Sequence, residues 1–349
     1  MKGSVTSTVP ALRALLRAAA LMLVALAWAG AACAAGEGGA QRLRLGNTPF
    51  LGSAPIYVAL DQGYFAAEGV QIDLVENSAG LISLKQLLEG DLDLAMTAEL
   101  PLAYSMLDPK KYTPRGHADF VMLADLIVSR VSASGGIARR DLGVASPADM
   151  RGKLVAVPAG TTLDLYLDLF LNAHGLRPDE LQIVDMPENR HLDALMRGEV
   201  AAIFSFRNSI VRAQQLLGER ALLLSNPVNF LTNWVLVSSR ALPGEQPKAV
   251  QGVLRALDRA ANFIAAEPTV AREIFKRRSG LPSETVDRIW GEHEYRIALP
   301  ESLARNLETE MRWILRRQGR AGQRVPNLLL NVDPVPLRAL GPGRDTLAR

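Results

Sequence analysis

Residues 59–95 read ALDQGYFAAEGVQIDLVENSAGLISLKQLLEGDLDLA, and they change periodicity four times. Ile56, Ala59, Leu60 and Tyr64 recur at helical spacing from Pro55, a residue suited to a helix start, until Gly69 ends the run. Gln71 to Val75 then reads as a strand and Asn77 to Gly80 as a polar loop. Leu81 to Leu88 returns to helical spacing and closes on Gly90, after which Leu92 to Met96 reads as a further strand. Upstream, Arg42 to Gly46 is strand-like and Asn47 to Ser53 is a turn-rich loop. Strands separated by helices imply an α/β protein with mostly parallel sheets, because a helix carries the chain back to start the next strand in the same direction.

The same order returns downstream. Leu154 to Val157 is a strand, Pro158 to Thr162 a loop, and Leu163 to His174 a helix ended by Gly175. Gln182 to Asp185, His191 to Met196 and Val200 to Phe204 repeat strand, helix, strand. The segment Leu87-Leu88-Glu89-Gly90-Asp91-Leu92 matches Leu195-Met196-Arg197-Gly198-Glu199-Val200. In each, a helix would end on a left-handed glycine before a buried strand. Periodicity alone allows two lobes or successive parts of one sheet. Residues 127–142, with Gly135 and Gly136, read as a crossing between lobes, and 230–237 as the return. Helical patterns follow at Pro247 to Ala266, Thr269 to Lys276 and Ser302 to Arg317, then a Pro- and Gly-rich tail from Val325.

The 349 residues are 48% hydrophobic and 21% charged, enough to bury a sizeable core. The net charge of +3 belongs entirely to residues 1–35, which hold Lys2, Arg13 and Arg17 and no acid. The remainder balances, which argues against a nucleic-acid partner. Those first 35 residues have the parts of a secretory signal: a basic stretch, the uncharged Ala18 to Ala32, and the Ala32-Cys33-Ala34 cleavage pattern. A free periplasmic protein is expected, with a lipid anchor at Cys33 as the rival, although Gly30 stands where lipoprotein signals carry Leu. Cys33 is the only cysteine, so no disulfide or thiolate metal site is expected, and no metal or cofactor is implied. The motifs G-x-S-x-G, G-x-G-x-x-G and H-E-x-x-H do not occur. Of the four histidines, His117, His174 and His191 are scattered, and His293 between Glu292 and Glu294 reads as a solvated helix face.

Residues 59–95, together with RGKLVAVPAGTTLDLYLDLFLNAHGL at 151–176 and DPVPLRALGPGRDTL at 333–347, resemble the nitrate/sulfonate/taurine-type substrate-binding proteins of ABC importers. The resemblance runs from about Leu43 to Leu347. It implies a type II periplasmic-binding-protein fold: residues 42–126 and 238–349 as lobe 1, residues 143–229 as lobe 2, and a ligand held in the cleft between them. It implies a monomer that passes a small molecule to an inner-membrane permease. A periplasmic sensing module would need the same cleft. A fold relative makes the thiamine pyrimidine, but an export leader stands against that chemistry, which belongs inside the cell. The chain departs from the family pattern at Ala201, where Asp is usual, and at Phe206-Arg207-Asn208, where a Glu-Pro pair is usual.

In an open α/β lobe, ligands sit beyond the carboxyl ends of the strands. The loops there supply Asn47, Phe50, Ser53, Ser78, Ala79, Gly80, Thr97, Ala98, Thr161 and Thr162. Exposed N–H groups at helix starts, with hydroxyl donors beside them, suit an anionic head group. The same Ser and Thr residues would serve equally as plain helix caps. Phe206 and Trp234 would pack on an organic ligand, Arg207 would pair with its acid group, and Asn233 lies at the return crossing. Arg130 and Arg190 are weaker candidates, and an inward Glu99 would instead hold an amine.

Overall fold

The computed structural model describes residues 40–112, 119–129, 134–225 and 232–347. The expected signal segment, Cys33, His117 and Arg130 lie outside these residues. The chain divides into Met1–Gln41 and a body, Arg42–Arg349; the fold described is that of the body.

The strands are β1 (Gln41–Asn47), β2 (Val70–Glu76), β3 (Leu94–Ala98), β4 (Phe120–Ser129), β5 (Ser134–Arg139), β6 (Leu154–Val157), β7 (Gln182–Asp185), β8 (Ala202–Phe206), β9 (Ala221–Leu224), β10 (Trp234–Ser239) and β11 (His293–Ala298). They form two sheets, one in the order β11-β4-β10-β3-β1-β2 and the other β7-β6-β8-β5-β9. Both sheets are mixed, where mostly parallel ones were expected. β1 pairs parallel with β3, but β10 is antiparallel to both β3 and β4. In the second sheet β6 is parallel to β7 and β8, while β5 is antiparallel to β8 and β9. The cause is the chain path: it leaves the first sheet through β4 and comes back through β10, so the two must run in opposite directions.

Residues 134–139, read as part of the crossing, are a central strand. The glycine pair that looked like a loop is a packing device, since a Cβ on Gly136 would stand 2.8 Å from the Phe204 ring and 2.9 Å from Leu224. Residues 234–237 likewise lie inside the first sheet, paired with β3 throughout and with β4 from Val235.

The first sheet buries Leu43, Leu45, Leu94 and Met96 against helices Ala54–Asp61, Gly80–Glu89 and Pro247–Ala266. The last of these turns Ala249, Val253, Leu257, Ala260 and Ile264 inward, the three-to-four-residue stripe of a core-facing helix. The second sheet has a core on each face. Val155, Val157 and Phe204 pack against Phe170 on one side, and Ala156 and Ile203 against Leu195 and Ile210 on the other. Alternation along the strand makes this split. The paired glycines do end their helices in the left-handed region, Gly90 at φ 84° and Gly198 at φ 75°.

Candidate binding cleft

The carboxyl ends of β1 and β3 and the start of β10 share one edge of the first sheet, as the pairing of Ala98 with Trp234 shows. In the second sheet the ends of β6 and β8 meet the start of β5. Loops from these two edges close on a cavity of about 20 Å³. Such a space holds about one water molecule.

Four helices begin on this cavity: Gly80–Glu89 and Glu99–Leu107 from the first lobe, Thr162–Ala173 and Arg207–Leu217 from the second. Their N-cap residues, Ala79, Ala98, Thr161 and Phe206, all line it, and none caps its helix with a side chain. Thr161 instead donates its hydroxyl to the Pro158 carbonyl at 2.7 Å. The starts of four helices thus converge from both sides, carrying the positive ends of the helix dipoles. Glu99 and Asp164 occupy the first turns of two of these helices, while the Gly80 and Arg207 helices have no acid there.

Gly80 is required by its surroundings. A Cβ would lie 2.7 Å from Thr97 Cα and 2.9 Å from Trp234 Cη2. Thr97 is therefore the floor under Gly80 and is fully buried. Thr162 and Trp234 line the cavity at 2% exposure each, and neither Thr162 Oγ1 nor Trp234 Nε1 has a hydrogen-bond partner. Buried polar atoms are ordinarily paired, so these two unpaired groups stand out beside the cavity.

Asn47 and Ser53 are spent on the protein itself. Ser53 Oγ lies 2.6 Å from Asn47 Oδ1, while Asn47 Nδ2 donates to Tyr57 Oη at 3.2 Å and to Glu76 Oε2 at 3.2 Å. This network fixes the loop that presents Phe50. Phe50 packs edge-on against Trp234 at 4.5 Å and stacks on Phe206 at 5.8 Å. Ser78 is half-buried beside Ala79 and outside the cavity wall.

Asn233 also turns away from the cavity. Its Nδ2 donates to Asp125 Oδ2 at 2.7 Å, its backbone N–H to Glu99 Oε2 at 3.0 Å, and its Oδ1 accepts from Asn306 at 2.9 Å. The Trp234 N–H donates to Asp125 Oδ1 at 2.9 Å. The result is a fully buried carboxyl cluster of Glu99, Asp125 and Glu310 behind the cleft wall. Burial pushes Glu99 up to about 8 and Asp125 up to about 7. Burial, then the neighbouring Glu99, hold Glu310 well above the ordinary carboxyl range. Glu99 points inward but is not in the cavity wall, so it holds backbone, not an amine.

Arg207 pairs with Glu292. Its Nε lies 3.0 and 3.2 Å from the two carboxylate oxygens, and its Nη2 3.0 Å from one of them. Glu292 directly precedes β11 of the first sheet, so this ion pair ties the two lobes. Arg317 to Asp164 at 2.9 Å and the Trp313 indole to Asp168 at 2.7 Å are further ties. Arg190 is exposed. His293, expected on a solvated helix face, is buried on β11, and burial pushes it down to about 4. The alternation of a strand, which turns every second residue inward, explains it.

A family model described as NMT1/THI5 like matches residues 51–271. The chain belongs to this family. The NMT1/THI5-like chain is 24% identical over 135 residues to a Brucella abortus (strain 2308) protein named only as a binding protein, covering 38% of this chain and 42% of the relative. It therefore spans about two-fifths of that relative's length. Among solved structures it is similar to the alkanesulfonate-binding protein SsuA from Xanthomonas axonopodis pv. citri bound to MOPS, with TM-score 0.69, 20% identity and coverage of 86% and 100% of the two chains. It is also similar to the periplasmic nitrate-binding protein NrtA from Synechocystis PCC 6803, with TM-score 0.62, 15% identity and coverage of 78% and 81%. At these identities the likeness shows the fold.

Within this NMT1/THI5-like fold, seven sequence-derived candidates share the cavity wall: Ala79, Gly80, Ala98, Thr161, Thr162, Phe206 and Trp234. Leu81 and Pro101 were missed. Both sit in first helical turns, where an apolar residue reads as core, so the sequence offered no separate signal for them.

Proposed function

We propose that the protein is the periplasmic solute-binding component of an ABC importer, taking a small solute with an acceptor or anionic group into the cleft between its lobes. The convergence of four uncapped helix starts, two from each lobe, on one cavity carries this reading. Positive helix ends brought together from both sides suit an acceptor that closure would surround. The cavity wall is built of Ala, Gly, Leu, Pro, Thr, Phe and Trp. None of these titrates near neutrality, which favours capture over acid–base chemistry. The relatives' names, a binding protein, a sulfonate-binding protein and a nitrate-binding protein, support the same reading. An export leader and a permease partner belong to it.

Native mass spectrometry of the chain from Gly36, purified without denaturation, tests it, followed by a thermal-shift screen of nitrate, sulfonates, carboxylates and pyrimidines. A retained small mass or a saturable shift is expected. An empty spectrum with a flat screen would refute the reading.

A further inference from the structure

Beyond Gly319, at φ 70°, the chain turns back along the helix Glu301–Arg317, because residues 321–329 share one groove with Ala304, Glu308, Met311 and Arg312 of that helix. The returning strap is pinned at both ends. The Arg320 N–H donates to the Leu315 carbonyl at 2.7 Å, and the Asp333 N–H to the Met122 carbonyl at 3.1 Å. Between them, Arg324 to Pro326 make no backbone–backbone hydrogen bond among the described residues. The helix lines the groove with Ala304, and the strap with Ala321 and Gly322, where a Cβ would meet nothing within 4 Å. Residues this small leave the space unfilled, and a cavity of about 730 Å³ remains, against about 20 Å³ in the cleft. Such a volume holds one small molecule.

Its wall combines two chemistries. Met311 and Leu347 are buried and form the floor with half-buried Val325 and Leu328, while Leu329 is 46% exposed. Two exposed arginines, Arg312 and Arg324, stand against one acid, Glu308. Glu308 pairs with Arg312 one helical turn along, and both side chains are at least half exposed. A pair of this kind is weak and exchanges readily for another carboxylate. Arg324 has no partner among the described residues. An apolar floor beside cationic forks calls for an apolar chain that ends in an anion.

We propose that this groove is a second binding site, taking a single-chain amphipathic acid whose alkyl chain lies on Met311, Val325 and Leu347 and whose carboxylate meets Arg312 and Arg324. The site shares no residue with the cleft wall and does not depend on the solute-binding reading of the cleft. A groove of this volume accommodates one chain, which favours a free acid over a bilayer surface.

Methionine-methyl NMR on the chain from Gly36 tests it, because Met311 lines the groove and no methionine lines the cleft cavity. Met311→Leu assigns the signal. Decanoate, below its micelle concentration, should move the Met311 methyl saturably, with affinity rising about two- to fourfold per methylene from hexanoate upward. Decyltrimethylammonium should bind about tenfold more weakly than decanoate. Arg324→Glu should weaken decanoate about tenfold, and Ala304→Trp, which fills the groove from a half-buried position, should abolish the shift. An unmoved Met311 methyl, a cation bound as tightly as decanoate, or a shift that survives both substitutions would overturn the site. Sedimentation with phosphatidylglycerol vesicles but no decanoate shift would overturn it too, and would assign the groove to a membrane surface.

Discussion

Replacing Glu310 with methionine should make the protein more stable. Glu310 is 1% exposed, and neither of its carboxyl oxygens has a hydrogen-bond partner. Glu99 adds repulsion to the cost of burying a charge, and Asp125 lies in the same cluster. An unpaired buried polar group costs about 1–3 kcal/mol, and an apolar residue of the same length removes that cost without leaving a cavity. In a body this large each kcal/mol is worth about 2 °C, so a rise of roughly 2–6 °C is expected. The gain should be greater near pH 8 than near pH 5. At the higher pH an unfolded glutamate is freely ionised, whereas the folded one must keep its proton or pay for a buried charge. Calorimetric melting of wild type and Glu310→Met at both pH values decides it. A lower melting temperature near pH 8 would refute the reasoning, because it would show the carboxyl making bonds worth more than its burial costs.

The wild type should itself be pH-sensitive. Glu99 is raised from 4.5 to about 8 and Asp125 from 3.8 to about 7, so the folded chain holds more protons than the unfolded one between roughly pH 4 and 8. Stability contributed by these groups therefore falls as pH rises through that window; urea midpoints that rise steadily across it would contradict this. Arg207→Glu should loosen the lobes and enlarge the radius of gyration in solution scattering, and Glu292→Arg in the same chain should restore it. Restoration failing in the double variant would mean that the ion pair does not hold the lobes. Gly80→Ala forces a methyl to within 2.7 Å of Thr97 Cα, and should cost about 1–3 kcal/mol in urea unfolding and weaken whichever solute binds. An unchanged midpoint would show that the Gly80 helix can shift outward freely.

Element order was readable because amphipathic helices and buried strands differ in period. Leu154–Val157, Gln182–Asp185 and Pro247–Ala266 fall where the sequence places them. Strand β5 was hidden by Gly135 and Gly136, since glycine reads as a turn unless one knows that Phe204 lies over it. The candidate cleft was legible as loops at strand ends, which placed Ala79, Gly80, Thr161 and Thr162 together. Partner choice was not legible. Asn47 and Asn233 look alike in sequence to a ligand-binding amide, and only their distances to Tyr57, Glu76, Asp125 and Asn306 show them committed elsewhere. Arg207 was read as a counter-ion for a solute because its partner, Glu292, is 85 residues away along the chain.

A helix cap of Ser, Thr, Asp or Asn is worth about 1 kcal/mol, and the four helices that open on the cleft forgo it. Ala79, Ala98, Thr161 and Phe206 are thus positions where stability has not been taken up. Substitution there changes the lining of the cleft while leaving the sheets and their packed helices intact. Divergence of solute preference within such a fold would therefore be expected to accumulate at these four sites first, one residue at a time, each step small enough for the folded body to tolerate.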